Sequence, residues 1–289
     1  MKTTSPPAEP PLAALPHAAA AAAALQPYVS SYAGFALEIP PGEELCARVI
    51  PPGVPVMTIV LSGQIRITDG PAAGQFAPPA GLTGQLTRSG GTACAGALEC
   101  FAVHFAPAGV HDLLGVSVAG LQNATVAAAE VLGPGAETYL QALRTAPDFA
   151  ARGRLSDEFF AGWLPGAAPG LGAAAAGLLQ ARQGLLDIEE LALRLGVSER
   201  TLLRRFRHEV GLSPKHFARL MRFRAAHAYL QDPAARWADA VLRFGYTDQS
   251  HLIRDYRDFA GETPRQYSTE ARVLDRSVSL VGPPPAPPA

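Results

Sequence analysis

Two stretches in the C-terminal third of this chain share one layout, and that repeat limits the fold more than any other feature. In the first, Asp187-Ile188-Glu189-Glu190-Leu191-Ala192-Leu193-Arg194-Leu195 puts apolar residues at 188, 191, 192 and 195, one face of a short helix. Asp187 is its expected N-cap, with Glu190 three residues on in the manner of a capping box. Gly196-Val197 makes the break, Ser198 caps a second helix from Glu199 to Val210, and Gly211 closes it. Two short helices joined by a turn of a few residues containing glycine make a helix-turn-helix. Leu202 and Phe206 face inward on the second helix, while Arg200, Thr201, Leu203, Arg204, Arg207 and His208 spread over the outside.

The layout then recurs. Ala238-Asp239-Ala240-Val241-Leu242-Arg243-Phe244 leads into Gly245-Tyr246, and a second surface helix runs from Asp248 to Phe259, closed by Gly261 with Thr263-Pro264 after it. Gly196 and Gly245 are 49 residues apart, and Leu202, Arg204 and Phe206 have counterparts in Leu252, Arg254 and Tyr256. Between the two units, Ser213 as N-cap and Pro214 as first helical residue open a longer helix to about Leu230. Phe217, Leu220, Met221 and Ala228 form its apolar face, which makes it a rigid spacer.

Charge follows the same division. The whole chain of 289 residues is near neutral, with 24 Lys plus Arg against 25 Asp plus Glu, which excludes a globally basic nucleic-acid coat. Residues 1–180 nevertheless carry 7 basic and 12 acidic side chains, and residues 181–289 carry 17 and 13. Sixteen of those 17 are Arg and one is Lys215. Arginine makes forked contacts with phosphate and with guanine edges. A high-GC coding bias accounts for Arg over Lys, but not for the change of sign near residue 180.

The first half reads differently. Short apolar runs broken by Gly and Pro fill residues 45–105, and Val56–Leu61, Ser62-Gly63, then Gln64–Thr68 read as a hairpin. In Leu98–Phe105, residues Phe101, Val103 and Phe105 share one face, and Cys100, Ala102 and His104 the other. From Gly109 the period turns helical, near Val110–Leu114, Gly135–Arg144 and Asp148–Trp163. The expected fold is an α+β N-terminal domain, a small β-barrel or sheet plus helices, over 25–170. An all-α domain with two helix-turn-helix motifs joined by a linker helix follows over 172–270. Residues 1–24 are Pro/Ala-rich and 277–289 Pro-rich, and both read as disordered tails.

Neither half offers catalysis. His104 and His111 with Glu99 and Asp112 lack the strand spacing of a metal site, so they read as structural residues. Cys46, Cys94 and Cys100 are an odd number without a Cys-x-x-Cys pair, which argues against a disulfide framework and a zinc cluster. Neither Cys94 nor Cys100 has an adjacent Lys, Arg or His to activate it, so both read as buried structural thiols. A nucleophile elbow and a phosphate-cradling glycine loop are missing too. The reading is therefore no enzyme, no cofactor, no catalytic residue and no metal ligand. No stretch reaches the ~18 apolar residues of a membrane span, and a reducing cytoplasm fits the cysteines.

Residues 180–267 resemble the DNA-binding domain of the AraC/XylS family of transcriptional regulators. The resemblance rests on residues 196–206, on Gly211-Leu212-Ser213-Pro214, on Phe244-Gly245-Tyr246-Thr247-Asp248-Gln249-Ser250-His251-Leu252 and on Gly261-Glu262-Thr263-Pro264. Tyr256 stands where that family usually has Phe, and Trp237 where it usually has an aliphatic residue. More loosely, residues 25–165 resemble the β-rich sensor domains attached to such regulators, Leu25–Tyr32 matching how one subgroup begins. The resemblance implies that Arg200, Thr201, Leu203 and Arg204 face bases from the first recognition helix, and Gln249, Ser250, His251 and Arg254 from the second. Leu203 departs from the polar residues often found there, which leaves two readings: contact with a thymine methyl, or a position that is not read.

Phosphate contacts are expected from Arg205, Lys215 and Arg219. The expected partners are double-stranded DNA at a promoter or operator, a small-molecule effector whose binding residues are not legible, RNA polymerase and a second copy of the chain, with no membrane. Three other readings compete with a regulator. They are a β-barrel metalloenzyme fused to a DNA-binding module, a DNA-repair protein, and an interaction module whose helices no longer read DNA. The repair protein would need a four-cysteine zinc cluster, and this chain has three scattered cysteines.

Overall fold

The structure, a computed structural model, describes residues 17–232 and 234–262. The expected tail over 277–289 and the Thr263-Pro264 motif lie outside the described residues. In the first half the strands are β1 (His17–Ala20), β2 (Val29–Glu38), β3 (Leu45–Val49), β4 (Val56–Ser62), β5 (Arg66–Ile67), β6 (Ala80–Thr83), β7 (Gly90–Cys94) and β8 (Ala97–Phe105). Helix α1 (Gly109–Leu114), strand β9 (Thr125–Ala127), and helices α2 (Ala128–Leu132), α3 (Ala136–Thr145) and α4 (Phe149–Ala161) complete it. Helices α5 (Leu171–Ala181), α6 (Ile188–Arg194), α7 (Glu199–Val210), α8 (Pro214–Tyr229), α9 (Trp237–Arg243) and α10 (Gln249–Ala260) make up the second half.

Two antiparallel sheets form, in the orders β1-β2-β8-β4-β6-β9 and β3-β7-β5. Among the described residues they remain two open sheets, not a closed barrel. Strand β8 is the spine of the larger one, because alternation gives it two buried faces. Phe101, Val103 and Phe105 enter a core with Tyr32, Met57, Ile59 and Leu82, to which α3 and α4 add Tyr139, Leu140, Leu143 and Phe160. Cys100 and Leu98 enter a smaller core with Leu37, Ile39, Ala47 and Cys94. Burial pushes the Cys100 thiol up to about 12 and the Cys94 thiol upward, as the structural role expected of them requires.

Two expectations are corrected. The hairpin over Val56–Thr68 does not form: β4 pairs with β6 on one edge and β8 on the other, so it has no open edge for the strand that follows. Gly63, at φ +79°, turns the chain away where a Cβ would lie 2.3 Å from the Ala97 carbonyl oxygen, and β5 pairs with β7 in the second sheet. Residues 17–20, assigned by composition to a disordered tail, form β1 against β2, with Ala19 opposite Tyr32. A backbone ladder against an open edge needs no particular side chains, so an alanine run gives no sign of it.

The two halves share buried surface. Ile50 and Ala108 of the first half lie in the cluster that holds Leu202, Leu220 and Leu252. Gly53, at φ +77°, admits Met221, whose Cε lies 2.4 Å from where a Cβ would be. Arg224 Nη1 donates to the Pro51 carbonyl oxygen at 3.1 Å, and the Gly170 amide donates to Asp112 Oδ2 at 3.0 Å. Among the described residues no helix is long and apolar enough to cross a membrane.

Candidate nucleic-acid interface

Local chemistry sets each helix of the two units. Asp187 accepts from the Glu189 amide at 2.8 Å and starts α6. Glu190 does not complete the capping box; it turns forward to Arg194, one turn on, at 2.6 Å. Ser198 Oγ accepts from the Thr201 amide at 3.3 Å and starts α7, and Gly211 ends it at φ +87°. Asp248 accepts from the His251 amide at 2.7 Å and starts α10, and Gly261 ends it at φ +73°. Counted from cap to cap the repeat is 50 residues, one more than from glycine to glycine, because the second turn is one residue longer.

With the caps as origin, the inner faces superpose position by position. Leu202 and Phe206 correspond to Leu252 and Tyr256, and all four are buried. The capped spacer α8 lies between the units: Phe217 meets Phe206 edge-on at 5.5 Å, and Phe223 meets Tyr256 at 5.0 Å and Phe259 at 5.1 Å. Tyr256, unusual for the resembled family, uses its hydroxyl, which lies 3.1 Å from His227 Nδ1. Sixteen residues at ~1.5 Å each make α8 a strut of about 24 Å.

The outer faces carry the residues assigned to DNA. Arg200, Leu203, Arg204, Gln249, Ser250 and Arg254 are exposed. Thr201 and His251 are half-buried and occupied locally: Thr201 Oγ1 accepts from the Ser198 hydroxyl at 3.0 Å, and His251 Nδ1 lies 3.3 Å from Thr247 Oγ1 with its ring edge-on to Tyr246. The cap origin also changes the correspondence between helices. Gln249 matches Glu199, and the counterpart of Leu203 is Ile253. Arg204 matches Arg254, and Arg207 matches Arg257; this last exposed pair is absent from the sequence assignment and becomes visible only once the origin is the cap.

Of the three residues assigned to phosphates, Lys215 alone stands clear. Arg205 Nε donates to Glu209 Oε1 one turn away, and that buried carboxylate accepts the Gly172 amide with its other oxygen. Arg219 is bound to Asp255 at 2.7 Å and to Asp258. Asp255 is buried and accepts the Tyr246 hydroxyl at 3.0 Å, while Arg222 lies over the Tyr246 ring at 4.9 Å. This network is what sequence reasoning missed, because Arg219 and Asp255 are 36 residues apart and no local spacing pairs them.

Residues 191–270 match the model of a helix-turn-helix domain family, and residues 17–127 match a domain of unknown function (DUF6597). The RhaR proteins of Yersinia pseudotuberculosis and Yersinia pestis, named as HTH-type transcriptional activators, are 29% identical over 90 residues, 31% of this chain. The chain spans about a third (31%) of the length of these curated relatives. A probable AraC family transcriptional regulator from Rhodopseudomonas palustris is 29% identical over 37% of this chain and 96% of its own, at a TM-score of 0.30. ToxT from Vibrio cholerae covers 82% of this chain and 97% of its own at 8% identity, with a TM-score of 0.48.

Proposed function

We propose that the chain is a sequence-specific DNA-binding transcriptional regulator of the AraC family; the match of residues 191–270 to a helix-turn-helix domain model and the likeness of 90 residues to HTH-type transcriptional activators support this reading. One observation carries the reading: two capped helices on one core expose arginines at the same distance from their caps, Arg204 with Arg254 and Arg207 with Arg257. The N-terminal halves of α7 and α10 enter successive major-groove segments on one face of the duplex, about one helical turn or ~34 Å apart. Arg200, Leu203 and Arg204 on α7, and Gln249, Ser250 and Arg254 on α10, read base edges. Thr201 and His251 contribute after leaving their hydrogen bonds in the turns. Lys215 holds phosphate, and Arg205 and Arg219 act there only by sharing their carboxylates.

The N-terminal domain, residues 25–170, responds to a small-molecule effector and governs how residues 172–270 engage DNA. A second copy of the chain and RNA polymerase are its further partners, and the cytoplasm is its compartment. Among the described residues the sheets do not close into the barrel that the metalloenzyme alternative called for.

Selection of bound sequences from random duplex DNA with the full chain tests the reading. Enrichment of two short boxes about a turn apart is expected, and the absence of any enriched site overturns it. On the selected duplex, Arg204→Ala should cost ~1–3 kcal/mol of specific affinity and relax preference at one position. An interaction module that no longer reads DNA would show no such loss.

A further inference from the structure

Resting on the reading of α10 as a recognition helix, we infer that Arg48, in the N-terminal domain, is a positioning residue for α10 on DNA. Arg48 lies on β3, and its guanidinium reaches the C-terminal end of α10. Arg48 Nε is 3.6 Å from Glu262 Oε1, and a Cβ on Gly261 would lie 2.8 Å from Arg48 Nη1 and 2.8 Å from Ser89 Oγ. The same guanidinium is anchored on the domain side by Asp69 Oδ2 at 3.3 Å and Ser89 Oγ at 3.1 Å. Asp69 in turn is fixed by the Gly91 amide, which donates to its other oxygen at 2.9 Å. A cation is well placed there, because the carbonyls of the last helical turn and the helix dipole both present negative charge.

The contact falls where it helps and does not obstruct. Gln249, Ser250 and Arg254 lie at the opposite, N-terminal half of α10 and stay exposed. The first unit has its own version: the closing Gly211 of α7 lies against the Val118 carbonyl oxygen, 3.1 Å from where a Cβ would be, and His208 Nδ1 is 3.1 Å from Ser117 Oγ. Both recognition helices are thus met by the N-terminal domain at their closing glycines. The first also rides on α5, where the Gly172 amide meets Glu209. The second has α8 and α9 beneath it, so Arg48 is a tether from outside its own unit.

The test uses the full chain and two duplexes: the selected two-box site, and the same site with the box read by α10 scrambled. Wild type should prefer the two-box duplex. Arg48→Ala should lower affinity for the two-box duplex about five- to ten-fold and leave the scrambled duplex unchanged, a loss at the low end of measured couplings between sites. Arg48→Lys, which keeps the charge without the fork, should fall between them. If Arg48→Ala lowers the melting temperature, Glu262→Gln removes the same ion pair from the other side and takes its place. An equal loss on both duplexes, or no loss on either, overturns the inference. A wild type that does not distinguish the duplexes overturns the regulator reading instead.

Discussion

Burial holds the His104 imidazole at about 4, below its ordinary range, and the nearby Arg224 cation acts in the same direction. His104 is buried in β8 with Nδ1 3.3 Å from Ser31 Oγ, so the native state takes it neutral. In the unfolded chain it titrates near ~6.5. The unfolded state therefore binds the extra proton between those two values. The stability is complete above pH ~6.5 and is lost as the pH falls toward about 4, by up to ~3 kcal/mol. Urea midpoints of wild type and His104→Gln across that window check this, and the variant should show the shallower decline. Equal slopes would assign the acid sensitivity to other groups.

At the scale of elements, α7 and α10 share a frame and differ in charge. α7 starts from a neutral Ser198 and exposes Arg200, Arg204 and Arg207, with Arg205 held by Glu209, whereas α10 starts from Asp248 and exposes Arg254 and Arg257. The carboxylates of Asp255 and Asp258 are already taken by Arg219. The first unit should therefore supply most of the electrostatic attraction to phosphate, and the second more of the discrimination. Asp248→Asn keeps an N-cap side chain of similar strength but removes a negative charge from the helix end that faces DNA in the proposed reading. DNA affinity at low salt should rise by about 0.5–1 kcal/mol with little change in melting temperature; titrations at several salt concentrations read it. The caps, closing glycines and inner faces behind this comparison were legible in the sequence because each is set within a dozen residues. The engagement of Arg205 and Arg219 was not, since it depends on where Glu209 and Asp255 sit after packing.

For the whole molecule, the acidic and basic halves form one body through a few close approaches. Gly53 is the tightest: it holds φ +77°, its carbonyl oxygen accepts from Gln85 Nε2 at 3.2 Å, and Met221 occupies the space a side chain would need. Gly53→Ala would strain that backbone and displace the end of the Met221 side chain from its seat between the halves. We expect a loss of about 1–3 kcal/mol in stability and faster proteolytic cleavage between residues 162 and 170, where α4 gives way to α5. Limited proteolysis against wild type measures it, and unchanged cleavage would mean that the halves hold together without this contact.

The amino-acid sequence by itself determined two capped helical pairs around a stiff spacer, and the alternation of β8 between two apolar faces. Caps, periodicity and glycine turns act over a few residues and leave their pattern in the chain. Tertiary structure alone decided that β5 leaves β4 for β7, that residues 17–20 add a strand, that two presumed phosphate-binding arginines serve internal carboxylates, and that Arg48 reaches the end of α10. Each of those depends on which surfaces meet across long stretches of chain, and such meetings are settled by packing and free hydrogen-bonding edges, not by any spacing in the sequence.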